Sequence, residues 1–150
     1  MDTARAVIFD IDGVLVDSYR AHFDSWQRLC QEEGLELTEE QFVETFGHTS
    51  REIIARLWGN RYRQLDQVRV LDDRKEALYR EILQQDFPKI DGAAELVHAL
   101  YDAGIRLGVG SSGPPSNVFL VLDSLGVRAK FRAIVTGTDV QRGKPDPQVF

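Results

Sequence analysis

The sequence predicts an α/β fold in which a parallel sheet is interrupted by a helical insertion. A short apolar run at residues 4–9, bounded by polar residues, is typical of a buried strand. Residues 19–86 carry helical patterns and no convincing strand pattern, whereas strand and helix patterns alternate after Pro88. Such alternation indicates parallel strands joined by right-handed crossovers. We therefore expect an α/β core over 1–16 and 89–150, with a helical insertion over 17–88.

Within the insertion, each predicted helix rests on a spacing or a cap. Phe23, Trp26 and Leu29 recur at helical spacing, and Gly34 ends the first helix near residue 33. Two capping boxes, 38–41 and 49–52, predict helix starts. Asp72 or Asp73 is expected to cap a last helix that runs to about residue 85.

The second half of the chain provides the rest of the core. Asp91 precedes a helical pattern that ends at Gly104, and Gly126 ends a second one. The predicted elements are a helix over 92–103, a strand over 105–109, a helix over 115–125 and a strand over 132–135.

Composition narrows the class of protein. The 150 residues are 43% hydrophobic and 28% charged, with a formal net charge of −6. An acidic chain without a basic run is a poor nucleic-acid binder. No apolar run approaches the roughly 20 residues that span a bilayer, and the first residues do not resemble a signal peptide. With a single cysteine, Cys30, no internal disulfide forms, and we expect a soluble cytoplasmic protein of unspecified oligomeric state.

Ligands of such sheets bind outside the carboxyl ends of the strands, and three segments of this chain fall there. The first holds Asp10 and Asp12, which repel each other unless a cation or a proton lies between them. The second holds Ser111 and the N–H groups of Ser112 and Gly113, ahead of a helix, where anions bind well. The third holds Lys144.

Together these groups suit phosphate chemistry. Carboxylates beside a phosphate site are compatible when a hard cation such as Mg²⁺ bridges both anions. One carboxylate can then attack phosphorus while the other moves a proton.

Three stretches, "FDIDGVLVDS", "GVGSSG" and "RGKPDP", resemble the first three motifs of the haloacid dehalogenase (HAD) superfamily of phosphotransferases. The resemblance implies that Asp10 is the nucleophile and Asp12 the acid and base. The Asp10 carboxylate and the Asp12 carbonyl would hold Mg²⁺. Ser111 would bind the transferring phosphoryl group, and Lys144 would pair with that group and with Asp10.

The insertion resembles the helical cap of the subgroup that contains β-phosphoglucomutases and phosphoglycolate-type phosphatases. "YRAHFDSW" places His22 where that subgroup has a histidine near the catalytic acid, although a helical histidine among aromatic residues is often only packed. "FGHTSREI" resembles the cap loop that grips substrate, with Gly47 and Arg51. The alternative is an exposed Arg51 beside a capping box.

Phosphatase and mutase are both open on this resemblance. An aspartate at position 12 favours phosphate esters over carbon–halogen or carbon–phosphorus bonds. Where mutases carry a cap lysine in a tyrosine-containing helix, "LYREIL" offers Arg80 and Glu81, and two prolines after Gly113 remove backbone donors. These departures favour hydrolysis of a small phosphorylated metabolite, with a phosphosugar mutase as the alternative.

The family's fourth motif, an acidic pair beyond the third motif, is not found before Phe150. We therefore expect the sequence to be the front part of a longer protein. A non-catalytic domain that binds phosphate or a partner protein is the competing hypothesis.

Overall fold

The computed structural model describes residues 5–144 and 146–150. The chain divides into two compact units. The first is formed by the chain up to Ser18 together with Phe87–Phe150, and the second is Tyr19–Asp86. The elements, in chain order, are β1 (Ala6–Phe9), α1 (Tyr19–Glu33), α2 (Glu39–Thr45), α3 (Ser50–Trp58), α4 (Leu65–Gln85), α5 (Ala93–Asp102), β2 (Arg106–Gly110), α6 (Pro115–Ser124) and β3 (Phe131–Val135).

The first unit is built on a parallel sheet whose strand order is β1-β2-β3. Phe9 lies opposite Val109, and Gly110 lies opposite Val135, so the three strands end at the same edge. This arrangement confirms the predicted parallel α/β fold. The chain segments that follow the three strands consequently begin side by side.

Apolar residues of β2 and of the flanking helices α5 and α6 form the core of this unit. The fully buried members include Leu107 and Val109 of β2, Val97 of α5, and Val118, Val121 and Leu122 of α6. In contrast, Ile8 of β1 is 50% exposed, because β1 is an edge strand of the described sheet.

The second unit is all helical. Its buried cluster includes Trp26 and Leu29 of α1, Phe42 of α2, Ile54 of α3 and Leu78 of α4. Both predicted capping boxes are present, with Thr38 and Gln41 at the start of α2 and Thr49 and Glu52 at the start of α3. No described helix is long and apolar enough to cross a membrane.

One helix start was predicted wrongly. The last helix of the insertion begins at Leu65, a full two turns before Asp72. Gln64 precedes it without a side-chain cap, so the true start carries no capping signal. Asp72 instead lies inside α4 and accepts a hydrogen bond from Arg51. The predicted start of the first strand, at residue 4, lies outside the described residues.

The two connections between the units begin next to each other. Val16 pairs with Lys89 in antiparallel orientation, and the Asp17 N–H donates to the Pro88 carbonyl at 3.0 Å. Both connections therefore start from one fixed point of the first unit.

Candidate active site

Asp10 lies directly after β1, at the start of a tight turn. The turn is closed by backbone bonds from Leu15 N–H to the Ile11 carbonyl and from Gly13 N–H to the Val16 carbonyl, both 2.9 Å. Gly13 has a φ of 73°, a conformation that favours glycine. Ile11, Leu15 and Val16 are buried and anchor the turn.

The Asp10 side chain is held from two directions. Its Oδ1 accepts a hydrogen bond from the Ile11 N–H at 2.8 Å. Its Oδ2 lies 2.7 Å from the Lys144 Nζ, and the two side chains are 34% and 25% exposed, respectively. A charge-assisted contact of this length fixes the orientation of the carboxylate. Asp12, two residues further along, is half-buried.

The segment after β2 places Ser111 at the same edge of the sheet. Ser111 is fully buried, and its N–H donates to the Val135 carbonyl at 3.0 Å. Its Oγ accepts a hydrogen bond from the Gly113 N–H at 3.1 Å. The Gly113 N–H is therefore satisfied within the loop, and an anion would compete with Ser111 Oγ for it.

Ser112 is different, because its buried Oγ has no hydrogen-bond partner among the described residues. A buried hydroxyl without a partner is costly, which makes it a candidate for a ligand contact. The structure thus brings Asp10, Ser111, Ser112 and Lys144 to one edge of the sheet.

In the helical unit, His22 is both packed and hydrogen-bonded. Its ring stacks on Tyr79 with centroids 4.0 Å apart and planes 7° apart. Its Nδ1 lies 2.9 Å from the Lys75 Nζ. Since an ammonium group only donates, Nδ1 is the acceptor of this hydrogen bond.

Lys75 is a residue that the sequence analysis overlooked. It is 2% exposed, its Nζ lies 3.0 Å from Glu76 Oε1, and it also lies above the rings of Trp26 and Tyr79. A signal was available, because Lys75 follows Leu71 and precedes Leu78 at the spacing of the apolar face of α4. A lysine on that face has to be buried with a partner.

Glu76 is the buried counter-charge of Lys75. Ser50 donates a hydrogen bond to Glu76 Oε1. Burial alone would raise the pKa of the Glu76 carboxyl, but Lys75, His22 and the Ser50 hydroxyl outweigh it and hold that pKa below its usual value. Lys75 and Glu76 therefore form a buried salt bridge.

Arg51 lies in the first turn of α3, where it is exposed and paired. Its Nε lies 2.7 Å from Asp72 Oδ2, and its side chain is 64% exposed against 15% for Asp72. Burial raises the pKa of the Asp72 carboxyl in spite of the Arg51 guanidinium. Gly47, just ahead of this helix, has a φ of 93°.

The Arg80–Glu81 pair, which the sequence analysis compared with a mutase lysine, occupies another face of α4. Glu81 forms an ion pair with Arg74 at 3.3 Å, and Arg74 also binds Glu32. The cation beside His22 is Lys75 instead, so the helical unit carries a lysine near His22 that the comparison with Arg80 and Glu81 did not predict.

Comparison with known proteins identifies the class. Residues 7–150 match the family model of haloacid dehalogenase-like hydrolases. The chain belongs to this family, which confirms the resemblance found in the three motifs.

The relatives of this chain include both phosphatases and a β-phosphoglucomutase. The chain is 29% identical over 150 residues to validoxylamine A 7'-phosphate phosphatase of Streptomyces hygroscopicus subsp. limoneus, covering 97% of this chain and 68% of the relative. It is 27% identical over 153 residues to β-phosphoglucomutase of Bacillus subtilis, covering 97% and 66%. The crystal structure of β-phosphoglucomutase from Clostridium difficile superposes with a TM-score of 0.85 at 24% identity, covering 99% and 68%. The chain spans about two thirds of the length of each of these proteins.

Proposed function

We propose that this protein hydrolyses phosphate monoesters of small metabolites through a covalent intermediate on Asp10. The observation that carries the proposal is the ion pair between Asp10 and Lys144 at the end of β1, at the sheet edge where Ser111 and Ser112 also lie. A fixed carboxylate beside a cation and hydroxyl groups is what phosphoryl transfer needs, because its catalysis rests on positioning and charge stabilisation.

The roles follow from the chemistry of each group. Asp10 Oδ attacks phosphorus, so that an oxygen–phosphorus bond to Asp10 forms as the bond to the leaving oxygen breaks. Asp12 gives its proton to the leaving oxygen and later takes one from the attacking water. Water then displaces Asp10, and inorganic phosphate leaves. Lys144 and Ser111 bind the phosphoryl oxygens, and the unpartnered Ser112 hydroxyl supplies a further donor.

The donor set at β1 also fits Mg²⁺. Among the described residues no three histidine, cysteine or acidic side chains form a metal-binding group. Mg²⁺ is commonly bound by one or two carboxylates, with waters and substrate phosphate as the other ligands. Asp10 and the Asp12 carbonyl would hold the ion in that way. When bound, it would neutralise charge on the phosphoryl oxygens.

We further propose that the helical unit acts as a cap over 17–88 that selects the substrate. Arg51 is exposed on that unit and suits a second anionic group, and Gly47 gives its loop a turn that other residues rarely adopt. His22 is held in place by its stacking on Tyr79 and by its hydrogen bond with Lys75, and we propose that it faces the substrate. A cytoplasmic setting agrees with the buried free thiol of Cys30.

A phosphosugar mutase is the second candidate, and the buried Lys75 favours it. A mutase holds the far phosphate of its substrate with cationic groups, and Lys75 adds one beside His22. Glu76 neutralises that cation, however, which leaves water as the favoured acceptor. Product analysis with β-glucose 1-phosphate, Mg²⁺ and a trace of the 1,6-bisphosphate separates the two, since a mutase yields glucose 6-phosphate with little free phosphate.

The test is phosphate release from a panel of small phosphomonoesters with Mg²⁺. Wild-type protein should release phosphate and Asp10→Asn should not, because an amide does not act as the nucleophile. Asp123→Asn is the matched control, since Asp123 forms an exposed ion pair with Arg128 in the same unit. Binding of phosphate without turnover of any ester would favour the non-catalytic alternative.

A further inference from the structure

The segments that follow β2 and β3 are in direct backbone contact. We call residues 111–113 the β2 loop and residues 136–139 the β3 loop. The Gly137 N–H of the β3 loop donates to the Gly113 carbonyl of the β2 loop at 2.9 Å. Two residues earlier in each segment, the Ser111 N–H donates to the Val135 carbonyl at 3.0 Å. Backbone hydrogen bonds thus join the two segments beyond the last paired residues of β2 and β3.

Gly137 lies unusually close to the β2 loop. A Cβ added at Gly137 would lie 2.2 Å from the Ser112 carbonyl oxygen and 3.0 Å from its carbonyl carbon. Real Cβ atoms do not approach backbone atoms so closely, so the Ser112 peptide would have to move. Only a residue without a side chain fits at position 137. The two loops can therefore lie this close together only because residue 137 is glycine.

Asp139 in turn holds the shape of the β3 loop. Its Oδ2 accepts hydrogen bonds from the Thr136 N–H at 2.8 Å and from the Thr136 Oγ1 at 2.6 Å. Its own N–H donates to the Thr136 carbonyl at 3.0 Å. Thr136 is 2% exposed, so the turn closes on a buried residue immediately before Gly137.

We propose that Gly137 and Asp139 are positioning residues, which set the place of the Ser111 and Ser112 hydroxyls through the backbone of the β2 loop. The inference rests on the proposed function, in which those hydroxyls bind the transferring phosphoryl group. Neither residue touches the substrate. Their effect is to hold donors where charge develops, a task in which a displacement of about 1 Å costs up to about a hundredfold in rate.

The first experiment compares Gly137→Ala with Gly108→Ala. Gly108 lies on β2, and a Cβ there would meet only ordinary contacts at 3.7 Å. Circular dichroism checks that both variants are folded. With the best phosphomonoester of the panel, Gly137→Ala should lower kcat by about 10- to 100-fold with a smaller change in KM, because the displaced hydroxyls matter most in the transition state. Gly108→Ala should behave like wild type.

Asp139 supplies the second arm, which also serves if Gly137→Ala does not fold. Asp139→Ala removes the acceptor and should lower kcat, whereas Asp139→Asn keeps an oxygen for Thr136 and should restore most of it. Unchanged kcat in folded Gly137→Ala, or equal losses in Asp139→Ala and Asp139→Asn, would overturn the inference.

Binding of inorganic phosphate separates this inference from the proposed function. If wild-type protein binds phosphate but hydrolyses no ester, the proposed function fails. The positioning role would still be supported if Gly137→Ala, but not Gly108→Ala, binds phosphate more weakly than wild type. If wild-type protein neither binds phosphate nor hydrolyses an ester, both are wrong.

Discussion

Replacing Lys75 by methionine should destabilise the helical unit far more than a typical surface substitution. Methionine fills a similar volume but removes the ammonium that faces Glu76 and His22. Glu76, only 8% exposed, is left as a buried carboxylate without its ammonium partner, although Ser50 still donates a hydrogen bond to it. The loss of one partner of a buried ion pair costs about 3–5 kcal/mol, because the other charge stays uncompensated.

The loss should depend on pH in a defined direction. In the wild type the pKa of Glu76 is held below its usual value, so the ionised carboxyl stabilises the fold above the pKa of an unfolded glutamate, about 4.3, and this contribution is lost as the pH falls. Lys75 makes the largest contribution that opposes burial, so we expect its removal to raise that pKa. The stability of Lys75→Met should then fall less than that of the wild type as the pH is lowered through about 4.3.

Urea unfolding followed by tryptophan fluorescence measures both effects, since Trp26 and Trp58 lie in the helical unit. The double variant Lys75→Met/Glu76→Gln is the control, because replacing a whole buried pair by neutral groups is often nearly neutral in stability. The double variant should recover most of the lost stability, and the pH effect that comes from Glu76 should be absent. A single variant within about 1 kcal/mol of wild type, or a double variant no better than the single one, would refute the ion-pair account.

Three further predictions concern other residues. Lys144→Met removes the cation beside Asp10. It should therefore weaken the binding of inorganic phosphate, measured by calorimetry, by at least about tenfold, or about 1.4 kcal/mol. An unchanged affinity for phosphate would contradict this prediction. Arg51→Ala should change the ranking of substrates in the ester panel more than kcat for the best one, and a uniform loss across the panel would exclude a role in selectivity. Burial raises the pKa of the Cys30 thiol to about 11. A thiol reagent at pH 8 should therefore label Cys30 only after the protein is unfolded. Rapid labelling of the native protein would contradict this, because it would show that the thiol is accessible.

Much of the fold was readable because local signals agreed with tertiary structure. Both capping boxes formed where their residues stand, and the glycines at 34, 104 and 126 adopt positive φ near the ends of helices. The alternation after Pro88 correctly gave the parallel sheet. The capping residues and the glycines lie within a few residues of the helix ends that they predict.

The errors arose where a signal was absent or ambiguous. The start of α4 has no side-chain cap, and Asp72, which looked like one, is engaged by Arg51 from α3. Lys75 was overlooked because a lysine in a charged helix ordinarily faces solvent. Only the position of Lys75 between Leu71 and Leu78 indicated otherwise, and its partner His22 is far away in sequence.

The candidate site could be predicted from the sequence to a similar degree. The rule that ligands bind at the carboxyl ends of strands predicted that Asp10, Ser111 and Lys144 meet at one edge. The register of the strands places Asp10 and Ser111 there, and the ion pair with Asp10 places Lys144 beside them. The tight contact of Gly137 with Ser112 was not predictable, because it depends on the distance between two loops, and no spacing pattern encodes that distance.

The most direct test of the central claim is to locate the phosphoryl group during turnover. Protein mixed with a phosphomonoester and Mg²⁺ would be quenched in acid, digested and mapped by mass spectrometry. The account predicts one added phosphoryl group on the peptide that contains Asp10, and none in Asp10→Asn. Phosphorylation of another residue, or near-normal turnover by Asp10→Asn, would contradict it.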